Sequence, residues 1–335
     1  MKKRIKLDFC GFWNSFNKEN NLFSNILRRY FDIEICDCPD YVIASNRGDP
    51  FEYMKYDCIR IMFMGENISP DFTCFDYCLG FDHIDFGDRY FRLPFGFYQD
   101  DGQAWIPESL THEQAQSILA NKQHFCNFIY GHQSGSGMRE KMFTELNKYK
   151  KVISPGRYMN NMPNGKIGTT WLEKYDYLKK SKFTIACDSI HYPGFFTEKI
   201  IQPFQCHSIP VYFGSTTIDE DLNPKSFVWC KDEKNLKQTI EEVIYLDTCD
   251  EAYLEKLKTC PLYASDALVE KYKKLEQFLV HIFDQPLDKA GRRVKMFAAQ
   301  TYEDNLKTCM RLSGKSDMLE KLYKIKKKLF KLFKH

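Results

Sequence analysis

The sequence predicts an α/β protein of two domains, each built around a parallel sheet. Three observations carry this expectation. The first is the stretch from Phe183 to Ser215. A β-rich run, Phe183–Asp188, ends on a carboxylate and leads into the loop Tyr192-Pro193-Gly194. Thr197 then stands at the N-cap of a helix opening Glu198-Lys199-Ile200-Ile201, and Ser208–Phe213 is a second apolar strand closed by Gly214-Ser215. Strand, loop, helix and strand in this order make one βαβ unit of a parallel sheet. The second is Cys58–Met64, an apolar run broken only by Arg60, which reads as a strand buried on both faces. The third is the alternation of short strands and helices along the first 120 or so residues.

A chain of 335 residues, 43% of them hydrophobic, has room for two ordinary domains with a sizeable core. A net charge of +3 is too small to argue for a nucleic-acid partner. The 28 Phe and 20 Tyr suit carbohydrate contact, though most of so many rings must belong to the core. The 13 Cys form no CxxC pair, and Cys36/Cys38 and Cys74/Cys78 lack nearby His, which points to reduced thiols rather than metal ligands. The opening MKKRIKLDF has no secretory core, and no apolar run reaches the length of a membrane span. The expectation is a cytoplasmic protein, in which the sequon Asn67-Ile68-Ser69 is incidental.

In order along the chain, Arg4–Trp13 reads as the first strand, Asn21–Tyr30 as a helix, and Ile33–Cys36 and Tyr41–Ala44 as strands. Cys58–Met64, Tyr77–Phe81 and Arg89–Leu93 continue the sheet, and Ser109–Lys122 is a polar helix. The domain boundary is placed there, giving an N-terminal domain over 1–122 and a second over 123–312. Phe125–Tyr130 opens the second domain as a strand, and the Gly-rich segment 131–137 leads into a helix from Met138 to Tyr149. Tyr149–Asn164 reads as loop, Trp171–Ser181 as an amphipathic helix, and Asn223–Trp229 as a loop then a strand. Helices follow over Asn235–Tyr245, Asp250–Lys258 and Asp266–Phe283. The last has Leu268, Tyr272, Leu275, Leu279 and Phe283 on one face.

In open α/β sheets ligands bind beyond the carboxyl ends of the strands. Glu66, just past the buried strand at Gly65-Glu66-Asn67, meets that condition as a general base, although a turn carboxylate fits the same text. Asp82 and Asp85 are the next candidates. Glu198 and Lys199 put a carboxylate and an ammonium at a helix N-terminus, where free backbone N–H groups attract phosphate; two solvated first-turn residues would look alike. Arg139 stands in the first turn after the Gly-rich loop, where a cation is mildly unfavourable for the helix dipole unless an anion partners it. Asp219-Glu220-Asp221 matches Asp-x-Asp literally but reads as an acidic first turn, not a metal site.

Two separated segments carry a resemblance. Phe196-Thr197-Glu198-Lys199 with Ser208-Ile209-Pro210-Val211-Tyr212-Phe213-Gly214-Ser215, and Gly65-Glu66-Asn67 with Ser69-Pro70, Phe75-Asp76-Tyr77, Gly80-Phe81-Asp82 and Arg89-Tyr90, resemble the signatures of the bacterial α1,3/4-fucosyltransferases, glycosyltransferase family 10. The resemblance implies a GT-B-like fold of two Rossmann-like domains facing a cleft. It implies inverting transfer of L-fucose from GDP-fucose to the GlcNAc hydroxyl of N-acetyllactosamine or Lewis-type glycans, such as a lipopolysaccharide O-antigen, with no metal cofactor. Glu66 would be the base, Arg139 and Lys199 would hold the diphosphate, and Glu198 the fucose or ribose hydroxyls. Two departures fall in the donor pocket. Phe195 replaces the family's Tyr, with Tyr192 a candidate to supply the hydroxyl, and Asp188-Ser189-Ile190 replaces Glu-Asn-Ser. Those departures leave open a transferase for another nucleotide sugar, or a non-catalytic glycan- or nucleotide-binding relative.

Residues 313–335 form a tail of different composition. KLYKIKKKLFKLFKH, from Lys321 to His335, is a basic amphipathic pattern with Leu322, Ile325, Leu329, Leu332 and Phe333 at helical spacing. It predicts peripheral contact with an anionic membrane at its inner face, although a solvated last helix has the same charge pattern.

Overall fold

The computed structural model describes residues 2–133, 135–162 and 171–312; the tail lies outside the described residues. Two all-parallel sheets organise the chain. The first has strands β1 (Arg4–Cys10), β2 (Asp32–Ile35), β3 (Tyr41–Ser45), β4 (Ile59–Phe63), β5 (Tyr77–Gly80) and β6 (Tyr90–Arg92), in the order β2-β1-β3-β4-β5-β6. The second has β7 (His124–Asn127), β8 (Val152–Ile153), β9 (Ser181–Cys187), β10 (Ile209–Phe213) and β11 (Val228–Trp229), in the order β11-β10-β9-β7-β8. Every residue of β3, β4, β5 and β10 is buried, as expected of parallel strands covered on both faces. Strand order reverses between β1 and β3 in one sheet and between β7 and β9 in the other, so a ligand crevice opens at each switch point.

The helices are α1 (Leu22–Leu27), α2 (His112–Ala120), α3 (Met138–Tyr149), α4 (Trp171–Lys180), α5 (Glu198–Gln205), α6 (Leu236–Thr248), α7 (Asp250–Lys258), α8 (Ala267–Asp284) and α9 (Leu287–Ala290). Thr197 caps α5 as expected, its Oγ1 accepting from the Lys199 N–H at 3.4 Å. Thr111 and Gln114 close a capping box on α2. The segment read as loop after Tyr149 contains β8, whose two residues pair with Cys126 and Asn127 of β7. β7 itself stops at Asn127, three residues short of the predicted end.

The chain after residue 266 returns to the first sheet. The predicted apolar face of α8 is buried, and Phe283 lies 4.5 Å from the Tyr41 ring. The Tyr272 hydroxyl donates to the Phe97 carbonyl at 2.7 Å and that of Tyr77 to the Ala290 carbonyl at 2.8 Å. A final helix over residues 297–312 lies against the same domain: Glu303 pairs with the buried Arg60 at 3.0 Å, the Tyr302 hydroxyl meets Asp71, and Leu306 packs on the cluster around Cys74 and Phe75.

The two sheets share a core. Phe196 meets Phe97 edge-on at 4.9 Å and Phe195 meets Phe81 at 5.0 Å. The Gly96 N–H donates to the Phe196 carbonyl at 3.0 Å, and a Cβ at Gly96 would lie 2.4 Å from the Phe196 ring, so only glycine admits this approach. All thirteen cysteines are free, and seven, among them Cys187 and Cys206, are buried. Among the described residues no helix is long and apolar enough to cross a membrane.

Candidate active site between the two sheets

A cleft of about 470 Å³ runs between the domains, walled by Trp13, Arg47, Phe95 and Tyr98 on one side and by Glu198 and Gln202 on the other. Glu66, in the turn after β4, adjoins this cleft through Arg47. The Asn46 side chain accepts from the backbone N–H groups of Gly65 and Glu66 at 2.9 and 3.0 Å, which fixes the turn. Glu66 itself is 41% exposed and paired with Arg47, whose guanidinium lies 5.1 Å over the Phe95 ring. Arg47 acts on the opposite wall as well. Burial works against charge on Glu198, yet Lys199, Lys174 and Arg47 together hold its carboxyl below the ordinary value. One guanidinium from the first domain therefore addresses a carboxylate from each side. Sequence reasoning did not single out Arg47; its place just after an apolar strand, like that of Glu66, was the available signal.

Lys199 and Asp188 lie deeper. The Lys199 ammonium is 3.2 Å from Thr197 Oγ1 and 4.0 Å from Asp188. Asp188 is fully buried: Thr197 donates to Oδ1 at 2.6 Å and Tyr212 to Oδ2 at 2.9 Å. Burial pushes its carboxyl up from the ordinary value, against the pull of Lys199 and the two hydroxyls. Asp188, expected to touch the donor, instead ties β9, β10 and the start of α5 together. Phe195 is corrected likewise, because its ring is 2% exposed and packs on Phe81. Tyr192 is 41% exposed and donates to Asp82 at 3.1 Å, while Ser189 is exposed on the loop. The turn behind them needs Gly194, which has φ +76° and whose added Cβ would lie 2.3 Å from the Phe81 carbonyl oxygen.

Arg139 occupies the β7/β9 switch point but is turned inward. It is 2% exposed, lies 3.9 Å over the Tyr130 ring, and donates to the carbonyls of His132 and Cys187 at 3.1 and 3.4 Å. Its Nε has no hydrogen-bond partner among the described residues. A small cavity on the Tyr130 side is lined by Tyr130, Lys174 and Lys199, so ammonium groups of α4 and α5 meet near the ring that Arg139 covers. Burial pushes the Lys174 ammonium below its ordinary value, and it donates to Gln202 at 2.6 Å.

Asp82 joins the two domains, whereas Asp85 closes only a local turn. Asp82 is 7% exposed and takes hydrogen bonds from Ser69 and Tyr192, and Asp85 accepts from the Gly87 N–H. The Asp219-Glu220-Asp221 carboxylates are dispersed: Asp221 forms a two-point clamp with Arg92 at 2.6 and 2.7 Å, and Glu220 pairs with His83. Among the described residues no group of three or more His, Cys, Asp or Glu is arranged to hold a metal ion.

Two parallel Rossmann-like sheets meeting along a charged cleft define the GT-B-type glycosyltransferase architecture. The sequence profile of the alpha-(1,3)-fucosyltransferase N-terminal domain matches residues 7–98, and that of the glycosyltransferase family 10 (fucosyltransferase) C-terminal domain matches residues 119–278. The chain belongs to glycosyltransferase family 10. An alpha-(1,3)-fucosyltransferase of Helicobacter pylori is 29% identical over 309 residues, covering 81% of this chain and 63% of that protein. A putative fucosyltransferase of Acanthamoeba polyphaga mimivirus is 28% identical over 221 residues, 64% of this chain and 35% of its own length. The chain thus spans less than two thirds of the length of either relative. A crystal structure of an alpha1,3-fucosyltransferase with GDP-fucose superposes with a TM-score of 0.67 at 26% identity, over 85% of this chain and 92% of that one. A further alpha1,3-fucosyltransferase crystal structure gives 0.70 at 25%, over 88% and 93%.

Proposed function

We propose that the protein transfers L-fucose from GDP-fucose to the GlcNAc hydroxyl of an N-acetyllactosamine-type glycan, with inversion and without a metal cofactor. The observation that carries this reading is the pairing of Glu66 with Arg47 on the wall of a cleft whose other wall presents Glu198. A sugar transfer with inversion needs one carboxylate to take the acceptor's proton and cations to receive the leaving diphosphate. Glu66 is the base: Arg47 engages one of its oxygens and leaves the other for a hydroxyl. General-base help of this kind is worth about 10²- to 10⁴-fold in rate. Lys199 at the α5 N-terminus takes the diphosphate, where the ammonium and the first-turn N–H groups add. Arg139 joins it once its guanidinium leaves the Tyr130 ring. Glu198 holds donor hydroxyls. The tail over 321–335 anchors the protein to an anionic membrane surface at the cytoplasmic face, and its removal should abolish binding to anionic vesicles.

The test is product formation from GDP-fucose and N-acetyllactosamine by mass spectrometry, wild type beside Glu66→Ala, with EDTA present. A fucosylated product from the wild type, lowered at least 10²-fold in the variant, is expected. No product while GDP still binds would refute the donor–acceptor pair and direct a panel of other nucleotide sugars. Undiminished turnover in Glu66→Ala would refute the assignment of the base.

A further inference from the structure

A second cavity, of about 480 Å³, lies at the far end of α5, on the side where β10 and β11 begin. Tyr175 and Gln205 line both this cavity and the cleft described above, and the Tyr175 hydroxyl donates to Gln205 at 3.3 Å. The two spaces therefore adjoin across this pair of side chains. The chain crossing between the domains walls them on one side: Tyr98, Gln99 and Asp100 border the cleft, and Trp105, Ile106 and Glu108 the second cavity. Helix α5 walls the other side, and its eight residues span a length of about 12 Å at 1.5 Å per residue. That exceeds the reach of one sugar ring.

The lining chemistry is specific. Trp105 and Phe204 stack with centroids 6.4 Å apart and planes at 17°, and Ile106 beside them is 57% exposed. The same cavity is lined by polar groups able to donate and accept: Gln205, Lys179 and the pair His207–Glu108 at 3.2 Å. His207 ends α5 with φ +52°, a position glycine usually takes. An aromatic platform rimmed by hydrogen-bonding groups matches a pyranose, which has an apolar C–H face and a belt of hydroxyls.

We infer that this cavity is a distal acceptor subsite that binds the sugar units of an extended glycan beyond the one that receives the transferred residue. The inference rests on the glycan-transferase reading of the cleft and adds to it a preference for longer acceptors. Trp105 supplies the stacking surface, and His207 with Glu108 orients the ring through its hydroxyls. Tyr175 and Gln205 are the gate over which the chain of sugars passes.

The experiment compares kcat/KM, per acceptor GlcNAc, for N-acetyllactosamine and for a tetrasaccharide of two such units, in the full chain and in Trp105→Ala and Trp105→Phe. Calorimetry of tetrasaccharide binding with GDP present is run in parallel. The wild type is expected to favour the tetrasaccharide by about two- to tenfold, the reach of one aromatic contact. Trp105→Ala should bring that ratio to about one through KM, and Trp105→Phe should keep most of it. General damage to the fold would lower both acceptors together and leave the ratio, which would overturn the inference. So would a wild-type ratio of one, or tetrasaccharide binding indifferent to Trp105. If neither acceptor is fucosylated but the tetrasaccharide binds and Trp105→Ala weakens it, the subsite stands and the transfer reading falls.

Discussion

Asp76 is a buried carboxylate whose loss should cost this protein several kcal/mol of stability. Its Oδ1 accepts from the Arg292 and Arg293 backbone N–H groups at 2.7 and 2.9 Å. Its Oδ2 accepts from the Arg60 N–H and from Arg293 Nε, both at 2.8 Å. Both side chains of the Asp76–Arg293 pair are 2% exposed. Asp76→Ala leaves the Arg293 guanidinium buried with Glu303 at 3.9 Å, and strands two backbone donors of the segment that returns to the first sheet and one of β4. Breaking a buried pair by removing one member costs about 3–5 kcal/mol, and stranded donors push the value to the upper end. At about 2 °C per kcal/mol for a chain of this size, the melting temperature should fall by about 6–10 °C, read by circular dichroism. Limited proteolysis should cut the variant first between residues 291 and 312. A shift within 2 °C or so, or cleavage there no faster than in the wild type, would refute the claim that this carboxylate clasps the C-terminal segment.

Three further outcomes follow from the site. Lys199→Ala should weaken GDP binding by about 10- to 100-fold, the worth of one charge-assisted contact, and unchanged affinity by calorimetry would remove Lys199 from the diphosphate. Asp188 has its carboxyl raised by burial from an ordinary value of 3.8, so the folded state holds the proton more tightly than the unfolded chain. The stability it contributes below that value is lost as pH rises through the folded pKa. Asp188→Asn should therefore gain on the wild type, in melting temperature, from pH 3 toward neutrality while its activity drops, and a pH-independent difference would contradict this. Arg92→Ala leaves Asp221, 5% exposed, without its guanidinium fork and should cost about 3 kcal/mol; a loss below about 1 kcal/mol would show that the domains do not depend on it.

The parts of the fold legible in the sequence were those governed by local chemistry. β4 and β10 declared themselves as continuous apolar runs because both of their faces are covered, and α5 was announced by the Thr197 cap. The stripe on α8 showed that the helix had a partner but not that the partner was the first sheet, since an apolar face carries no address. β8 is two residues long, too short to have a period. The roles expected of Glu66 and Lys199 came from a resemblance; the inward turn of Arg139 was not legible, because nothing local places the Tyr130 ring beneath it. Phe195 and Asp188 looked like pocket residues for the same reason: sequence order puts them beside Thr197, and packing puts one on Phe81 and the other under Tyr212.

The contacts between the sheets decide how the cleft can work. Domains joined by a small polar interface rotate freely, and those joined by an apolar one do not. Here Phe196 and Phe195 are inserted among the Phe97 and Phe81 rings, a backbone hydrogen bond joins Gly96 to Phe196, and the Arg92–Asp221 clamp closes the junction. A hinge opening of several ångströms would break all three at once. The change that admits a substrate is therefore of side-chain size. Arg47 and Glu66 are 33% and 41% exposed, and side chains so placed exchange rotamers in picoseconds to nanoseconds. A partly exposed ion pair of this kind is worth only about 0–1 kcal/mol, so an acceptor hydroxyl can take one Glu66 oxygen without opening the domains. Arg47 in turn can follow the negative charge that moves toward the donor side. Glu66 is thus held in place by a contact weak enough to be traded for substrate, as its proposed role of base requires.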